Sequence, residues 1–129
     1  MYDDADPALA RVRELALAFP GADMKVSHGR PAFFTTKVFV YYGGSVKVDG
    51  VYVQHRQCVM VRLPEDERLA MEQGPHTFVP AYMGAYGWLG IDLPAAGDQE
   101  GWDEVGEWLD ASYRLTAPRK LIAELDERT

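Results

Sequence analysis

Cysteine and long apolar runs are scarce in this sequence, and each scarcity excludes a class of protein. The single cysteine, Cys58, cannot form a disulfide within the chain, which excludes a secreted disulfide scaffold and indicates a reducing, cytoplasmic setting. Residues 1–6 are acidic and have neither the basic start nor the apolar run of a signal peptide. Glycine or proline interrupts the apolar stretches well before the length of a spanning helix, so we expect no association with a membrane.

Motifs for catalysis, phosphate binding and metal coordination are also missing. His28 and His76 have no serine or cysteine placed as a nucleophile, and the glycine-rich segments match neither a phosphate-binding loop nor a dinucleotide fingerprint. His55 and Cys58 are residue types that bind zinc, but no second pair supplies the remaining ligands. The carboxylates of residues 100–110 are interpreted as a solvated helix face. We therefore expect no enzymatic activity, no metal and no cofactor.

The composition is that of an ordinary globular domain. Of the 129 residues, 47% are apolar and 26% are charged, close to average usage. A chain of this length buries roughly two thirds of its extended-chain surface on folding, so it can form a core without disulfides or a metal. No repeat, low-complexity tract or linker divides the sequence, and we expect one domain over residues 1–129.

Several stretches have the apolar periodicity of helices. The expected helices are residues 6–19, residues 63–74, the stripe from Trp102 to Tyr113, and a short last helix around residues 117–125. Asp6 is expected to cap the first helix and Thr116 the last. In the second helix, Leu69 and Ala70 are the expected buried positions.

The region after Gly21 is rich in β-branched and aromatic residues, which favour strands. The expected strands are residues 32–42, 45–48, 51–54, 58–63 and 87–93. Gly43-Gly44 is expected to form a turn and Asp49-Gly50 a two-residue hairpin turn. Four valines of this hairpin are candidate inward residues: Val46, Val48, Val51 and Val53. Together the elements predict an α+β fold in which an antiparallel sheet packs against helices.

Charge is sorted along the chain, whose formal net charge is −7. Residues 21–62 carry six basic side chains against two acidic ones, whereas residues 63–113 carry one basic side chain against eleven acidic ones. A local positive surface can hold a polyanion on a negative molecule, although weakly and with a steep salt dependence. The candidate phosphate contacts are Lys25, Arg30, Lys37 and Lys47, joined by Arg114, Arg119 and Lys120 if the C-terminal helices pack beside the sheet. Scattered solubilising charges are the alternative interpretation.

Aromatic residues lie among glycines in the segment 78–93, where Tyr82, Tyr86 and Trp88 are the largest candidates. Flat rings beside arginine or lysine suit the stacking of unpaired bases or of a small ligand. Packing in the core is the other interpretation of these rings.

Four short motifs follow one another along nearly the whole chain. They are Pro20-Gly21-Ala22, His28-Gly29-Arg30-Pro31-Ala32-Phe33 leading into Lys37-Val38-Phe39, the run from Gly87 to Leu93, and the run from Ser112 to Leu121. In this order and at these separations they resemble the MmcQ/YjbR family of small bacterial proteins. The resemblance implies a frataxin-like or double-wing arrangement and a presumed DNA-binding function, although a fold does not fix a function. Residues 43–57 depart from the expected family pattern, because a valine-rich hairpin replaces a shorter connection.

The resemblance carries over a set of polar and aromatic residues by position. They are His28, Arg30, Lys37, Trp88, Ser112, Tyr113, Arg114 and Lys120. Combined with the charge pattern, this set gives a candidate nucleic-acid site. Its members are Lys25, His28, Arg30, Lys37, Lys47, Trp88, Arg114 and Lys120.

The leading hypothesis is a non-enzymatic domain that binds DNA weakly and in a salt-dependent manner through its sheet and adjoining loops. The alternative is a protein-interaction or small-ligand module that uses the aromatic segment 82–88 or the edge of the hairpin 45–54. Such an edge can also pair with a second copy of the chain as a homodimer. An enzyme is the third hypothesis, which a pocket joining His28 or His76 to a second polar group would favour.

Overall fold

A computed structural model describes residues 2–128 of the protein. Its helices are α1 (Pro7–Leu17), α2 (Glu65–Met71), α3 (Gln99–Thr116) and α4 (Arg119–Glu127), with a 3₁₀ turn at Met83–Tyr86. Its strands are β1 (Asp23–Ser27), β2 (Arg30–Phe34), β3 (Val38–Val48), β4 (Val51–Arg62), β5 (Thr77–Phe78) and β6 (Trp88–Asp92). Within the described residues, no helix has both the length and the apolar character needed to cross a membrane.

The strands form one antiparallel sheet in the order β1-β2-β3-β4-β6-β5. β3 and β4 are long neighbours joined by the hairpin, and β6 returns beside β4 after the α2 connection. The predicted α+β class, with an antiparallel sheet packed against helices, is confirmed. The frataxin-like or double-wing arrangement stays a prediction.

The main core lies between the sheet and the helices. Its fully buried members include Leu9 of α1, Val40 of β3, Val61 of β4 and Leu109 of α3. Partly buried side chains of α2 and α4 also pack against this cluster, among them Met71. All four helices therefore contribute to the same side of the sheet.

Of the two predicted N-caps, the one at the start of α1 is confirmed and the one at the start of α4 is wrong. The Asp6 side chain accepts a hydrogen bond from the Ala8 backbone N–H at 3.0 Å, which confirms the predicted N-cap. Thr116 does not cap α4, because its hydroxyl donates back to the Ser112 carbonyl at 2.9 Å, while Pro118 occupies the N-cap position. A threonine hydroxyl inside a helix can bond the carbonyl four residues earlier in that helix, and Thr116 does so here.

The expected turn at Gly43-Gly44 is wrong, because both residues lie inside β3. The pairing of β3 with β4 shifts register between Tyr42 and Gly44, which is the signature of a β-bulge, and Gly43 has φ +85°. Glycine tolerates this left-handed conformation, so the strand bends and continues instead of ending. The turn at Asp49-Gly50 is confirmed, since both residues have positive φ between β3 and β4.

The expectation that the hairpin valines point inward is also wrong. Val48, Val51 and Val53 are 49%, 65% and 43% exposed, and Val46 is only partly buried. None of these valines belongs to either buried cluster within the described residues. Beyond the bulge the hairpin extends past the core, so alternating apolar residues find no partner layer.

Two further expectations fail where the elements are short. Leu69 and Ala70 are exposed, because the seven-residue α2 only connects β4 to β5 and Met71 alone of its apolar residues packs against the core. β1 was not among the expected strands. Most of its residues are exposed, so they give no alternating apolar pattern, and pairing with β2 is what defines it.

Candidate functional site

The sheet has one face covered by helices and one face that the helices leave open. One row of paired residues crosses β1, β2, β3, β4 and β6, and it alternates with rows that face the main core. This row consists of Lys25, Ala32, Tyr41, Met60 and Gly90. The central members of the first row form a second, smaller buried cluster with Trp88. We call the face that carries this cluster the outer face.

Two cations of the outer face lie over aromatic rings. The Lys25 ammonium is 4.7 Å from the centroid of the Phe34 ring, and the Arg62 guanidinium is 5.9 Å from that of Trp88. Arg62 pairs directly with Trp88 across β4 and β6. Contacts of this kind contribute about 0.5–1 kcal/mol at exposed sites and hold the charged head in a defined place while it stays accessible.

Trp88 itself is only 9% exposed. Its ring packs edge-on against Tyr41 with centroids 5.0 Å apart, so its structural role is to fill the second cluster. The rings exposed for stacking are Tyr82 and Tyr86, at 76% and 63%, in and beside the 3₁₀ turn that follows β5. Their centroids are 6.0 Å apart.

A small pocket of about 170 Å³ lies between the His28-Gly29-Arg30 motif and the segment that contains Tyr82. Its lining includes His28, Arg30, Tyr52 and Tyr82. The His28 ring lies 6.2 Å from that of Tyr41, and the non-glycine residues His28 and Tyr82 both have positive φ. The structure thus places His28 and Arg30 next to the exposed rings of Tyr52 and Tyr82.

Lys37 and Lys47 are exposed at the margins of the sheet. Lys37 lies in the turn between β2 and β3, and Lys47 lies near the hairpin tip with its ammonium 5.5 Å from the centroid of Tyr52. Because Tyr52 also lines the small pocket, Lys47 approaches the same region as Arg30.

Arg114 and Lys120 are separated from this group. They lie on α3 and α4, which pack on the covered side of the sheet. Arg114 is engaged by Asp110 at 2.6 Å and Asp126 at 2.9 Å, and hydrogen bonds to these two carboxylates raise the pKa of its guanidinium. The predicted eight-residue site therefore divides into an outer-face group and two helix residues, of which Arg114 is paired with carboxylates.

The basic side chains of β1 to β4 differ in their pairing from three arginines of the helices. Within residues 2–128, ion pairs between arginine or lysine and a carboxylate involve Arg13, Arg68 and Arg114. None of the described ion pairs involves the six lysines and arginines of residues 21–62. The segment 78–91, whose exposed Tyr82 lines the small pocket with Arg30, contains no charged residue. The positive charge predicted for this region is therefore left uncompensated by direct contacts.

A larger cleft of about 730 Å³ lies between the start of α1 and the bulged part of β3 and β4. Its polar lining includes Asp6, Arg30, Tyr42, His55 and Arg56. The Tyr42 hydroxyl donates to Asp6 Oδ2 at 2.5 Å, and burial, followed by this hydrogen bond, raises the pKa of the phenol. Tyr42 thus stays protonated and fixes one wall of the cleft.

His55 is held from two sides at the edge of this cleft. Its Nδ1 lies 2.8 Å from Asp92 Oδ1, and its ring stacks on Phe78 with centroids 3.9 Å apart. A carboxylate that bonds one imidazole nitrogen fixes the orientation of the ring and leaves Nε2 as the nitrogen free to meet a ligand.

Cys58 is fully buried beneath these residues. Burial raises the pKa of its thiol to about 12, with a further contribution from the nearby Asp92. Its Sγ lies 3.3 Å from the His55 carbonyl oxygen, to which the thiol donates. At neutral pH the group is a protonated thiol with the character of a packing residue.

Sequence reasoning missed two features of this region. Arg62 was not included in the candidate site, although its strand partner Trp88 was, because only the register of β4 against β6 brings the two together. His55 and Asp92 are 37 residues apart, so no local spacing indicates their contact. In the described part of the chain, no group of three or more His, Cys, Asp or Glu side chains is arranged to hold a metal ion.

Comparison with known proteins supports the resemblance that the four motifs indicate. A search of curated proteins finds no match to this chain. The sequence model of the YjbR family matches residues 17–115, from the end of α1 to the end of α3, a span that includes the whole sheet. The chain therefore belongs to the YjbR family.

Proposed function

We propose that this protein is a non-enzymatic binding domain that contacts nucleic acid through its outer face. The observation that carries the proposal is the group of lysines and arginines on β1 to β4 that have no ion pair among the described residues. Two of them, Arg30 and Lys47, lie beside the exposed rings of Tyr52 and Tyr82. Cations of this kind can release counterions from phosphates, and flat rings can stack on unpaired bases.

Single-stranded nucleic acid suits this surface better than a duplex. Tyr82 and Tyr86 project from the 3₁₀ region as exposed rings. Among the residues that the structure describes, the four α-helices pack on the opposite side of the sheet, so none of them is placed to enter a major groove from the outer face. Lys25, Arg30 and Arg62 would contact phosphates as charges, which fixes the position of the strand and reads little sequence.

The total charge of the protein limits the affinity. At a formal net charge of −7, the molecule repels a polyanion at long range, and this repulsion is screened over about 8–10 Å at physiological salt. The proposal therefore predicts weak binding that falls steeply as salt increases.

The double variant Lys25→Gln with Arg62→Gln tests the proposal directly. Fluorescence anisotropy with a labelled oligothymidine measures the affinity over a series of salt concentrations. Each lost phosphate contact should reduce the slope of log K against log salt by about 0.7. The matched control, Arg119→Gln with Lys120→Gln, removes the same charge from α4 and should leave the slope unchanged. Equal slopes for the wild-type protein and both variants, with melting temperatures unchanged, would refute the proposal.

A protein-interaction function is the second candidate, and the exposed hairpin favours it. Val51, Tyr52 and Val53 are exposed by 65%, 61% and 43% on adjacent positions of β4. Apolar side chains at the tip of an extended hairpin are suited to pairing with another chain, including a second copy. Size measurement by light scattering should then show an assembly that Val51→Lys with Val53→Lys dissociates. A monomer at high protein concentration would exclude self-association through the hairpin.

A further inference from the structure

We infer that the cleft between α1 and the β3–β4 bulge is a separate binding site for a small molecule that carries an oxyanion and a hydroxyl group. The cleft has a volume of about 730 Å³, which lies within the range of about 300–1,000 Å³ typical of small-ligand sites. This inference does not depend on nucleic-acid binding, since the cleft and the small pocket beside the exposed tyrosines share only Arg30 among their described lining residues.

The first argument is an excess of hydrogen-bond donors without partners. Arg30, Gln54 and Arg56 line the cleft, and among the described residues their side chains make no hydrogen bond or ion pair with the protein. Two guanidinium groups present planar forks of donors that match a carboxylate or a phosphate. A ligand oxyanion would supply the acceptors that the protein does not.

The second argument is that the main carboxylate of the cleft is already engaged. Asp6 Oδ1 accepts from the Ala8 N–H at 3.0 Å and from the Gln57 amide at 3.1 Å, and Asp6 Oδ2 accepts from the Tyr42 hydroxyl at 2.5 Å. A carboxylate with three donors is stabilised where it is and has little capacity left for an arginine across the cleft. The other acid of the lining, Asp3, accepts from the Ala5 N–H at 2.9 Å and is exposed to solvent.

The third argument concerns His55. Asp92 accepts at Nδ1, which favours the tautomer in which Nε2 of the neutral ring carries a lone pair. Stacking on Phe78 keeps the ring from turning away. An oriented acceptor in a cleft that two free arginines also line selects a ligand whose oxyanion is accompanied by a hydroxyl donor. In this assignment His55 binds the ligand and Asp92 is a positioning residue.

The backbone of the bulge makes room for such a ligand. Gly43 and Gly44 form part of the cleft wall, and a β-carbon on Gly43 would lie 3.9 Å from Arg30 Nη1. Glycine at this point lets the ligand approach the backbone beside the guanidinium, and its positive φ excludes most other residues. The amides of these two glycines therefore serve as reporters of occupancy.

Two matched pairs of probes test the site by NMR titration of ¹⁵N-labelled protein at constant ionic strength. Propyl phosphate is compared with glycerol 3-phosphate, and succinate with malate. Within each pair the anionic group is of one class, and only the second probe carries a hydroxyl group. Sodium chloride is the reference titrant. We expect the Gly43 and Gly44 amides to move with saturation for at least one pair and not for chloride, and the pair that binds tells a phosphate ligand from a carboxylate ligand.

Three variants assign the roles. Arg56→Gln removes one charge-assisted hydrogen bond and should weaken both anions of the binding pair about tenfold. His55→Phe keeps the stacking on Phe78 and should abolish the preference for the hydroxyl-bearing probe while the hydroxyl-free probe binds as before. Asp92→Asn should reduce the same preference, because the orientation of the imidazole is then no longer fixed. Lys25→Gln, on the outer face, is the control that should change neither affinity.

The inference is overturned if neither pair moves the two glycine amides more than chloride does. It is equally overturned if Arg56→Gln, folded by its melting temperature, binds the probes as tightly as the wild-type protein. The double variant Lys25→Gln with Arg62→Gln should lose oligothymidine binding and give the same cleft titrations as the wild-type protein. The two proposals can therefore fail separately.

Discussion

Ser112 is the side chain whose removal gives the most informative test of how α3 supports the outer face. It is fully buried, and its hydroxyl donates to the Phe39 carbonyl at 2.5 Å while it accepts from the Arg62 N–H at 2.9 Å. Phe39 occupies the irregular point in the pairing of β2 with β3, where Val40 and Val38 pair with consecutive residues of β2. One hydroxyl therefore satisfies two backbone groups of neighbouring strands, and one of these groups belongs to a proposed phosphate contact.

The magnitude follows from the two groups that Ser112→Ala leaves without a partner. An unsatisfied buried polar group costs about 1–3 kcal/mol, and alanine cannot admit a water molecule in place of the hydroxyl without opening the core. For two such groups we expect a loss of about 2–6 kcal/mol in the free energy of unfolding. With an unfolding entropy of about 2.1 cal/mol/K per residue, a loss of about 3 kcal/mol lowers the melting temperature of a chain of this length by roughly 11 °C.

Urea unfolding followed by tryptophan fluorescence measures this loss, with the m-value as a check that the unfolded state is unchanged. Thr116→Val is the matched control. It also removes one buried hydroxyl, but that hydroxyl donates to the Ser112 carbonyl within the same helix, where the backbone ladder already provides a donor. The control should lose no more than about 1 kcal/mol. A loss below that value for Ser112→Ala, or equal losses for both variants, would refute the two-strand bridge.

Three further outcomes follow from the packing and the pKa shifts. Gly90→Ala should lower stability by about 1–3 kcal/mol, because its β-carbon would lie 2.2 Å from Phe78 Cζ, whereas Gly106→Ala on α3 meets open space and should stabilise the helix by up to about 1 kcal/mol in a thermal melt. Burial raises the pKa of Tyr42 above its ordinary value of 10.0, so its contribution to stability is complete below pH 10 and is lost as the pH rises further. In urea titrations at increasing alkaline pH, the free energy of unfolding should therefore fall less steeply for Tyr42→Phe than for the wild-type protein. Cys58, with a pKa raised to about 12, should resist an aromatic disulfide reagent at pH 8 and react at once in guanidinium chloride, whereas rapid labelling of the native protein would contradict its burial.

The fold could be predicted from the sequence wherever a long element presents a continuous apolar face. In α3 the stripe that includes Trp102, Val105 and Leu109 is buried as its spacing indicates. The prediction failed where a tertiary contact decides the conformation. Gly43-Gly44 has the composition of a turn, but pairing of β3 with β4 on both sides of it makes a bulge the more stable solution.

The candidate site could be predicted only in part, because charge sorting gives the sign of a surface and not its position. Lys25 and Arg30 are brought to the outer face by strands close in sequence, which is why the sequence finds them. Arg114 belongs to the other layer, where nearby carboxylates bind it. The contact between His55 and Asp92 depends on the pairing of β4 with β6 across a 37-residue separation, and no periodicity carries that information.

Arg30 links the two proposed sites, because it lines both the small pocket beside the exposed tyrosines and the larger cleft behind the bulge. A single guanidinium cannot give its full set of donors to a phosphate of a nucleic acid and to a small oxyanion at the same time. Binding at the two sites should therefore be antagonistic, and by thermodynamic linkage each ligand must weaken the other by the same factor. Arg56 and His55 line only the cleft of the two, so the small molecule retains anchors that a nucleic acid on the outer face does not use. The antagonism should then be partial, with the competition confined to what Arg30 contributes to each complex.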